Sequence, residues 1–586
     1  MKYQRTGLLL NRTYMKYLFP TILGSVAILL SAFVDGILAS AFCGTDAFSA
    51  VNLAEPVILF MQAVFFIFGI GGAVSISVAK GRREHQRANS LFSLAFFMGI
   101  VVAVIVGVLG ILLLDPIVSV LCNNAELVPL VRAYTLVTFC GAPLMIFVPM
   151  MTYIIRADGM PKLSANILLV ANILNLCMDV VYMKVFHMGV GGAALATVTG
   201  YVLGLILVIV YLKSPKRTLK LHFPKKEDWK ELKTLCTGGL ASVVNTILLF
   251  VKAILINRIV LSTGGVDAMA VFSVCNFTVT FASMFMGGGS DTMTPILGLL
   301  YGEKDQRGMD YIVRKTMLVV LISCGILVAF MMAFPQLVLE LFGVRTSARL
   351  AIGIPAIRIF SVSLLGIAFS YTLMNYFQTV SQKTISVLIT VLRGIVITVP
   401  SAYLCSRFMG VSGIWWAFVI AEALTIVVTL IVCRIKASRS NGKFKGVLLK
   451  EQYDSEVSFD LTLKAQRQSA SDVSELVEDF CLKNGESEKT SNFAGVLAEE
   501  MVENIRRYNN GEAKEPDIDL ICRLRDEDLI LTVRDNGKTL SSVEPDEDSE
   551  EFENLRMIHS LAKDVDYTRT LGLNSTVVTL EGSRKG

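Results

Sequence analysis

The chain has 586 residues, 53% of them hydrophobic and only 18% charged, with a mean hydropathy of +0.60. That composition excludes a single soluble domain and a disordered chain, and it places most of the sequence in a polytopic membrane protein. The net charge of +5 hides an asymmetry: loops are basic up to about Lys445, and the chain is acidic from Glu451 onward, through VEPDEDSEEFEN at 543–554, so two modules are expected.

Scanned for stretches of about 20 apolar residues, enough to cross a hydrocarbon core, the chain yields twelve spans. They lie at 15–40, 48–78, 91–114, 131–155, 163–185, 190–212, 235–260, 268–289, 312–334, 354–377, 385–404 and 411–432. The opening MKYQRTGLLLNRTYMKYLFPTILG lacks a small-residue cleavage site and runs into the first span, so no cleavable signal peptide is expected. Alternate connections are dense in Lys and Arg (AKGRREHQR, KSPKRTLKLHFPKKEDWKELK, GEKDQR, CRIKASRSNGKFK), whereas AFCGTDAF and KVFHMG are poor in them. The positive-inside bias therefore puts both termini in the cytoplasm of a plasma-membrane protein, and an even number of spans agrees. Most of the eleven cysteines sit singly in apolar stretches with no CxxC or His-rich spacing, which predicts neither disulfides nor a zinc site.

GTDAFSAVNL at 44–53 returns as GVDAMAVFSV at 265–274, and MGVGGAALA at 188–196 returns as MGVSGIWWA at 409–417, both 221 residues later. A constant offset across six spans marks a duplicated six-helix unit. It gives an N-lobe at 1–220 and a C-lobe at 221–440 in parallel pseudo-symmetry, with a substrate cavity between or within them. The duplication isolates what is not repeated. Asp35, in LLSAFVDGILAS, maps onto Ile256, and Asp179, in NILNLCMDVVYM, maps onto Pro400. A charge at the centre of a spanning helix costs roughly 2.5–3.5 kcal/mol, so it is kept for a partner or for a use. Asn175 lies one turn before Asp179 on the same face. The three supply oxygen ligands for sodium or a carboxylate for a proton; alternatively, each Asp pairs with a basic residue or caps a helix break at Gly36. The second lobe carries Lys252, Arg393 and Glu422, for which structural pairing is expected.

The stretch from YLFPTILG to VNLAEP, IIRADGMPKLSANILLVANILNLCMDVVY and GVGGAALATVTG resemble the multidrug and toxic compound extrusion (MATE) transporters, a likeness that spans the twelve-helix region. The resemblance implies an all-α membrane fold of two six-helix lobes in a V. It also implies export of drugs or other cationic organic small molecules in exchange for Na+ or H+. It places a cation-coupling site at Asp35, Asn175, Asp179 and Thr197. In the second lobe, GGGSDTMTPILGLLYGEKD departs from the family, with residues 290–294 in place of a Gln-Pro pattern.

After Arg434 the hydrophobicity collapses; 441–455 reads as a polar linker and 456–586 as a separate domain. EVSFDLTL alternates like a half-buried strand. SASDVSELVEDFCLKNG reads as a helix stopped at Asn484 and Gly485, and NFAGVLAEEMVENIRRY as a second amphipathic helix. DIDLICRLRDEDLILTVRDNG reads as two strands joined at 526–528, and NSTVVTLEG as a last strand. The sum is an α+β sandwich of helices on an antiparallel or mixed sheet. Glu500 and Asn504, four apart on one helix face, suit a carboxylate that activates a hydroxyl and an amide oxygen that holds Mg2+. Asp535 ends a strand where a carboxylate accepts from an adenine amino group, with Gly537 leaving room for the base.

In this order, LAEEMVENIRRY, VRDNG and NLRMIHSLAKDVDYTRTLGLNSTVVTL resemble the N-box, the first glycine box, and the closing helix and strand of GHKL (histidine-kinase-like, Bergerat) ATPases, nearest to anti-sigma-factor serine kinases. The resemblance implies ATP and Mg2+ bound through Asn504, Asp535 and Gly537, with Asn504 on the metal, Glu500 as the catalytic base, and a regulatory protein as partner. Family glycines are replaced at Thr539 and at Phe552, Glu553 and Asn554. Those glycines free the backbone to approach phosphates, so nucleotide binding is expected to survive better than turnover. Three readings stay open: a cation-coupled exporter with a cytoplasmic regulatory domain, a membrane-anchored serine-kinase-like regulator, and a flippase of related architecture. No histidine lies between the last span and the ATPase-like region, which argues against a histidine kinase. The expected partners are a small molecule, the bilayer and a regulatory protein, with no nucleic acid.

Overall fold

A computed structural model describes residues 5–122, 124–451, 457–464, 470–509, 515–525, 528–538 and 562–583. It divides into two compact units, Lys16–Ile435, and Met1–Met15 together with Lys436–Gly586.

The larger unit is helical. Its first lobe comprises α1 (Leu8–Cys43), α2 (Thr45–Gly81), α3 (His85–Leu112), α4 (Leu114–Leu121), α5 (Val128–Ala157), α6 (Pro161–Asp179) running into a π-helical turn at Val180–Val185, and α7 (Gly189–Lys213). The second comprises α8 (Leu232–Gly302), α9 (Gln306–Ala333), α10 (Pro335–Leu341), α11 (Ser347–Thr379), α12 (Lys383–Val391) with a π-helical turn at Leu392–Val396, α13 (Thr398–Met409) and α14 (Val411–Ser438). Among the described residues, eleven helices are long and apolar enough to cross a membrane, against twelve spans expected. The difference lies in α8. Its 71 residues would reach about 105 Å at 1.5 Å per residue, more than three hydrocarbon thicknesses. Gly265 interrupts it with φ 62° and ψ −156°, and the pieces at 232–264 and 266–302 are each long enough to cross.

That break is a property of the duplication. Gly44, which separates α1 from α2 at φ 89°, lies 221 residues before Gly265, and Gly189 and Gly410 form a second pair at φ 62° and 60°. A positive φ is open to glycine at no steric cost, so the repeat preserves the residue type where it preserves the turn. The short helices α4 and α10, too brief for a hydropathy scan to register, begin at equivalent positions as well. Each lobe has its own apolar core, around Ala142, Ile146 and Met150 in the first and around Phe272, Phe360 and Trp415 in the second. The lobes meet along α2 and α8. A Cβ on Gly302 would stand 2.7 Å from the Cα of Gly81, and one on Gly81 2.9 Å from that of Gly302. These glycines are equivalents in the repeat, so the pseudo-twofold axis passes between them.

One polar knot fixes the end of the first lobe. Lys80 Nζ donates to Asp158 Oδ1 at 2.5 Å and to Thr218 at 2.7 Å, and Tyr211 donates to Asp158 Oδ2 at 2.8 Å. Lys80 and Asp158 are both buried. Lys80→Met leaves a buried carboxylate uncompensated, which costs about 3–5 kcal/mol. A lowered Tm of the detergent-purified full chain is the expected result; an unchanged Tm would mean the knot contributes nothing.

The smaller unit carries a β-ribbon of β1 (Phe444–Lys445) and β2 (Lys450–Glu451), then β3 (Val457–Lys464), α15 (Ala470–Lys483), α16 (Glu488–Tyr508), β4 (Asp517–Arg525), β5 (Asp528–Asp535), β6 (Asp564–Thr570) and β7 (Leu573–Glu581). The five-stranded sheet has the order β3-β4-β5-β7-β6, with every neighbouring pair antiparallel. The expected α+β layers are present, with two helices over one sheet face. α15 stops before Gly485 at φ 88°, and Ser487 caps α16 by accepting from the Thr490 N–H. Strand β6 is additional to the sequence reading. It pairs with β7 through a two-residue turn at Leu571 and Gly572, both at positive φ, the geometry that matches strand twist in a tight hairpin. The acidic run at 543–554, Thr539, the replaced glycine motif at 552–554 and most of the expected closing helix lie outside the described residues.

Alternation on the strands separates two faces. Leu461, Leu463, Ile518, Leu520, Cys522, Leu529, Leu531 and Val533 pack with α15 and α16. The opposite face presents Asp460, Thr462, Asp519 and Arg534, yet these charged residues are buried too, with Asp519 at 0% exposure. The N-terminal segment accounts for this. Arg5 Nε donates to Asp519 Oδ2 at 3.1 Å and lies 3.8 Å from Asp460, Arg12 pairs with Asp517, and the Thr6 N–H donates to Thr462 at 3.0 Å. Residues 5–12 thus belong to the C-terminal domain, and the same helix, α1, continues to Asp35.

Candidate functional site

The structure brings the four expected membrane residues together. Asp35 sits on α1, Asn175 and Asp179 on α6, and Thr197 on α7. Asn175 Nδ2 donates to Thr197 Oγ1 at 3.1 Å, and Ser31 Oγ donates to Asn175 Oδ1 at 2.6 Å. Ser31 also reaches Asp35, one turn further along α1, so it ties the two helices at the site. The sequence reading missed Ser31, although its i−4 spacing from Asp35 was the available signal.

Asp179 is fully buried, and neither of its oxygens receives a hydrogen bond from the described residues. The Asp35 carboxyl lies within hydrogen-bonding reach of it. Two ionised carboxylates have acceptors only, so a bond between them requires a proton on one of them; a small cation between them serves the same need. Asp179 makes no ion pair among the described residues, and Gly36 lies inside the unbroken α1. Basic pairing of Asp179 and a helix break at Gly36 are therefore both set aside. The helix leaves α-geometry immediately after Asp179, in the π turn at Val180–Val185, a feature found mostly as single turns, frequently at functional sites. Tyr134 of α5 feels the Asp35, Asp179 and Glu55 charges, and Tyr201 of α7 that of Asp35. Neither stood out in sequence, because an aromatic residue in an apolar span looks like core.

In the C-terminal domain, Glu500 and Asn504 share one face of α16, and Glu500 Oε2 is buried without a hydrogen bond. Asp535 ends β5. Its Oδ1 accepts from the Gly537 N–H at 2.7 Å and from Asn574 Nδ2 at 2.8 Å. Burial pushes the Asp535 carboxyl above its usual range, while those two bonds and the Arg569 charge pull it down. Asn574 is itself oriented by Tyr567 and Arg569, at 2.8 and 3.0 Å; both lie on the strand the sequence reading did not include. The space beside Gly537 is taken by Asn509, whose Oδ1 would stand 2.5 Å from an added Cβ and accepts from the Lys538 N–H at 3.0 Å. The missing side chain at 537 therefore makes room for an amide of the same domain.

Comparison with known proteins places the helical unit. The MatE family profile matches residues 20–181 and 241–404, one stretch in each lobe. The multidrug export protein MepA of Staphylococcus haemolyticus is 24% identical over 423 residues, covering 70% of this chain and 91% of its own. MepA of Staphylococcus aureus strain MRSA252 is 24% identical over 441 residues, covering 73% and 94%. Among solved structures, an outward-facing multidrug resistance MATE family transporter of the MOP superfamily superposes with a TM-score of 0.68 at 21% identity, covering 75% of this chain and 99% of that one. A MATE in its bent conformation gives 0.67 at 22%, covering 73% and 95%.

Proposed function

The chain belongs to the MatE family, and on that premise we propose that it is a cation-coupled antiporter of twelve spans that exports drugs or other cationic organic molecules. The observation that carries this reading is the Asp35–Asp179 carboxyl pair, buried at its Asp179 end without a protein donor. One positive charge, a proton or a sodium ion, completes it. A site whose charge balance depends on a mobile cation has a differential affinity for that cation in different conformations, which is what coupling requires. The basic loops put both termini in the cytoplasm of the plasma membrane. The test is efflux of a fluorescent cationic dye from cells expressing the full chain. Loss of efflux on collapsing the ion gradients is expected; efflux indifferent to them would overturn coupling.

The C-terminal domain regulates this cycle in our reading, binding a nucleotide at Asp535 and Asn504 or a protein partner on the same face. Glu500, half-buried and with its Oε2 lacking a hydrogen bond, would face Mg2+ or a hydroxyl there. An ionised Asp535 is needed to accept from an adenine amino group. Its carboxyl is held above the usual range, so ATP affinity of the full chain should fall with decreasing pH from a higher pH than an ordinary Asp would set. Asp535→Asn should weaken binding by about tenfold or more, the loss of one hydrogen bond to a charged group. Wild-type binding that is flat down to pH 4 would remove the assignment.

A further inference from the structure

The second lobe has its own charged cluster on the helices equivalent to those of the carboxyl pair. Shifted by the 221-residue repeat, Lys252 corresponds to Ser31, Arg393 to Asn172 and Glu422 to Tyr201. Lys252 thus stands where the first lobe places a residue of its polar site. The expected pairing holds for two of the three. Arg393 Nε lies 3.5 Å from Glu422 Oε1, and Ser370 Oγ donates to Glu422 Oε2 at 2.7 Å, so both Glu422 oxygens are engaged. Arg393 sits in the π-helical turn between α12 and α13, a stretch that the repeat maps onto 171–175 of α6, the turn that ends on Asn175. Lys252 is close enough to feel the Arg393 and Glu422 charges, yet it makes no hydrogen bond or ion pair among the described residues. The helices approach closely at this level: a Cβ on Gly394 would stand 2.9 Å from the Cβ of Leu248, one turn before Lys252.

With Arg393 and Glu422 cancelling, one positive charge, that of Lys252, remains in this cluster. An ionisable residue at that depth faces the bundle interior or a water-filled cavity and marks a substrate or ion path. We propose that Lys252, backed by the Arg393–Glu422 pair, is a subsite for a single monoanionic oxygen group, carried either as the carboxylate of a transported molecule or as the phosphodiester of a bilayer lipid. A doubly charged phosphate monoester would overcompensate it. The inference rests on the exporter reading and adds a substrate class to it: zwitterionic amphiphiles, whose cationic end is served elsewhere.

The test measures binding of a rhodamine with a free carboxylate and of its methyl ester to the full chain in phosphatidylcholine nanodiscs. The readout is the ratio of the two Kd values. Wild type should prefer the carboxylate dye. Lys252→Gln should shrink that preference about tenfold, the loss of one charge-assisted contact, and Lys252→Arg should keep most of it. The same measurement with added phosphatidylglycerol assigns the source. A preference that persists identifies the substrate carboxylate; one that disappears in wild type identifies the lipid phosphodiester. Equal ratios in wild type and Lys252→Gln overturn the subsite. Gradient-driven efflux of the ester reports on the exporter reading separately, so the two can fail independently.

Discussion

Replacing Asp35 and Asp179 together by asparagine is expected to bring gradient-driven dye efflux down to the level of cells without the protein, while the chain remains folded in the membrane. The two outcomes have one physical origin. Two unit charges about 4 Å apart repel by roughly 4 kcal/mol at an effective dielectric near 20, and nothing in the described structure donates to Asp179. On the proposed function, a bound cation is what offsets that repulsion at the Asp179 end of the pair. Two amides remove the repulsion and can hydrogen-bond to each other, so stability should hold or rise. They also remove the carboxylates that, on the proposed function, distinguish a bound cation from none, and with them the expected coupling free energy. Asn175 and Thr197, joined at 3.1 Å, would remain to orient a substrate or a water but not to neutralise a cation. The measurement is efflux with and without the gradients, beside a melting curve of the purified variant. Full gradient-dependent efflux in the double variant would show that the ion is bound elsewhere; a collapsed melting curve would show that the pair is structural.

The membrane architecture was legible in sequence because two signals there are strong and redundant: runs of apolar residues of spanning length, and a repeat at a constant offset. The repeat even foretold the break in α8, since Gly265 answers to Gly44. Helix ends were less legible. α1 begins at Leu8, not near residue 15, because its first two turns carry Asn11 and Arg12 and so dilute the hydropathy. The candidate site was legible in its carboxylates, which are conspicuous in an apolar span, and illegible in Ser31, which is not. In the C-terminal domain the apolar face of the sheet could be read from alternation. The carboxylates of its other face looked solvated, as alternating polar residues on a strand usually are, because their partners, Arg5 and Arg12, lie more than 450 residues away in the chain.

Those partners carry the second large expectation: Arg5→Ala with Arg12→Ala should unfold the C-terminal domain locally without touching its helical face. Arg5 is almost wholly buried, with its side chain 5% exposed, against Asp519 at 0%. Removing one member of a buried pair leaves an uncompensated charge and costs about 3–5 kcal/mol, a large fraction of the roughly 5–15 kcal/mol that holds a domain together. Hydrogen exchange on the full-length protein should show β3 and β4 losing protection while the spanning helices keep theirs. Adding Asp519→Asn to Arg5→Ala should recover part of the loss, since it removes the orphaned charge rather than restoring a bond. Lysines at both positions should recover less than their charge would suggest, because an ammonium lacks the planar fork of a guanidinium. Unchanged protection in the double alanine variant would mean that the N-terminal segment is not a working part of the domain. The expected loss would have a wider meaning. Of the residues that complete the sheet, Arg5 and Thr6 directly precede α1 and Arg12 lies in its first turns, so the segment tied to the domain is continuous in backbone with the helix that carries Asp35.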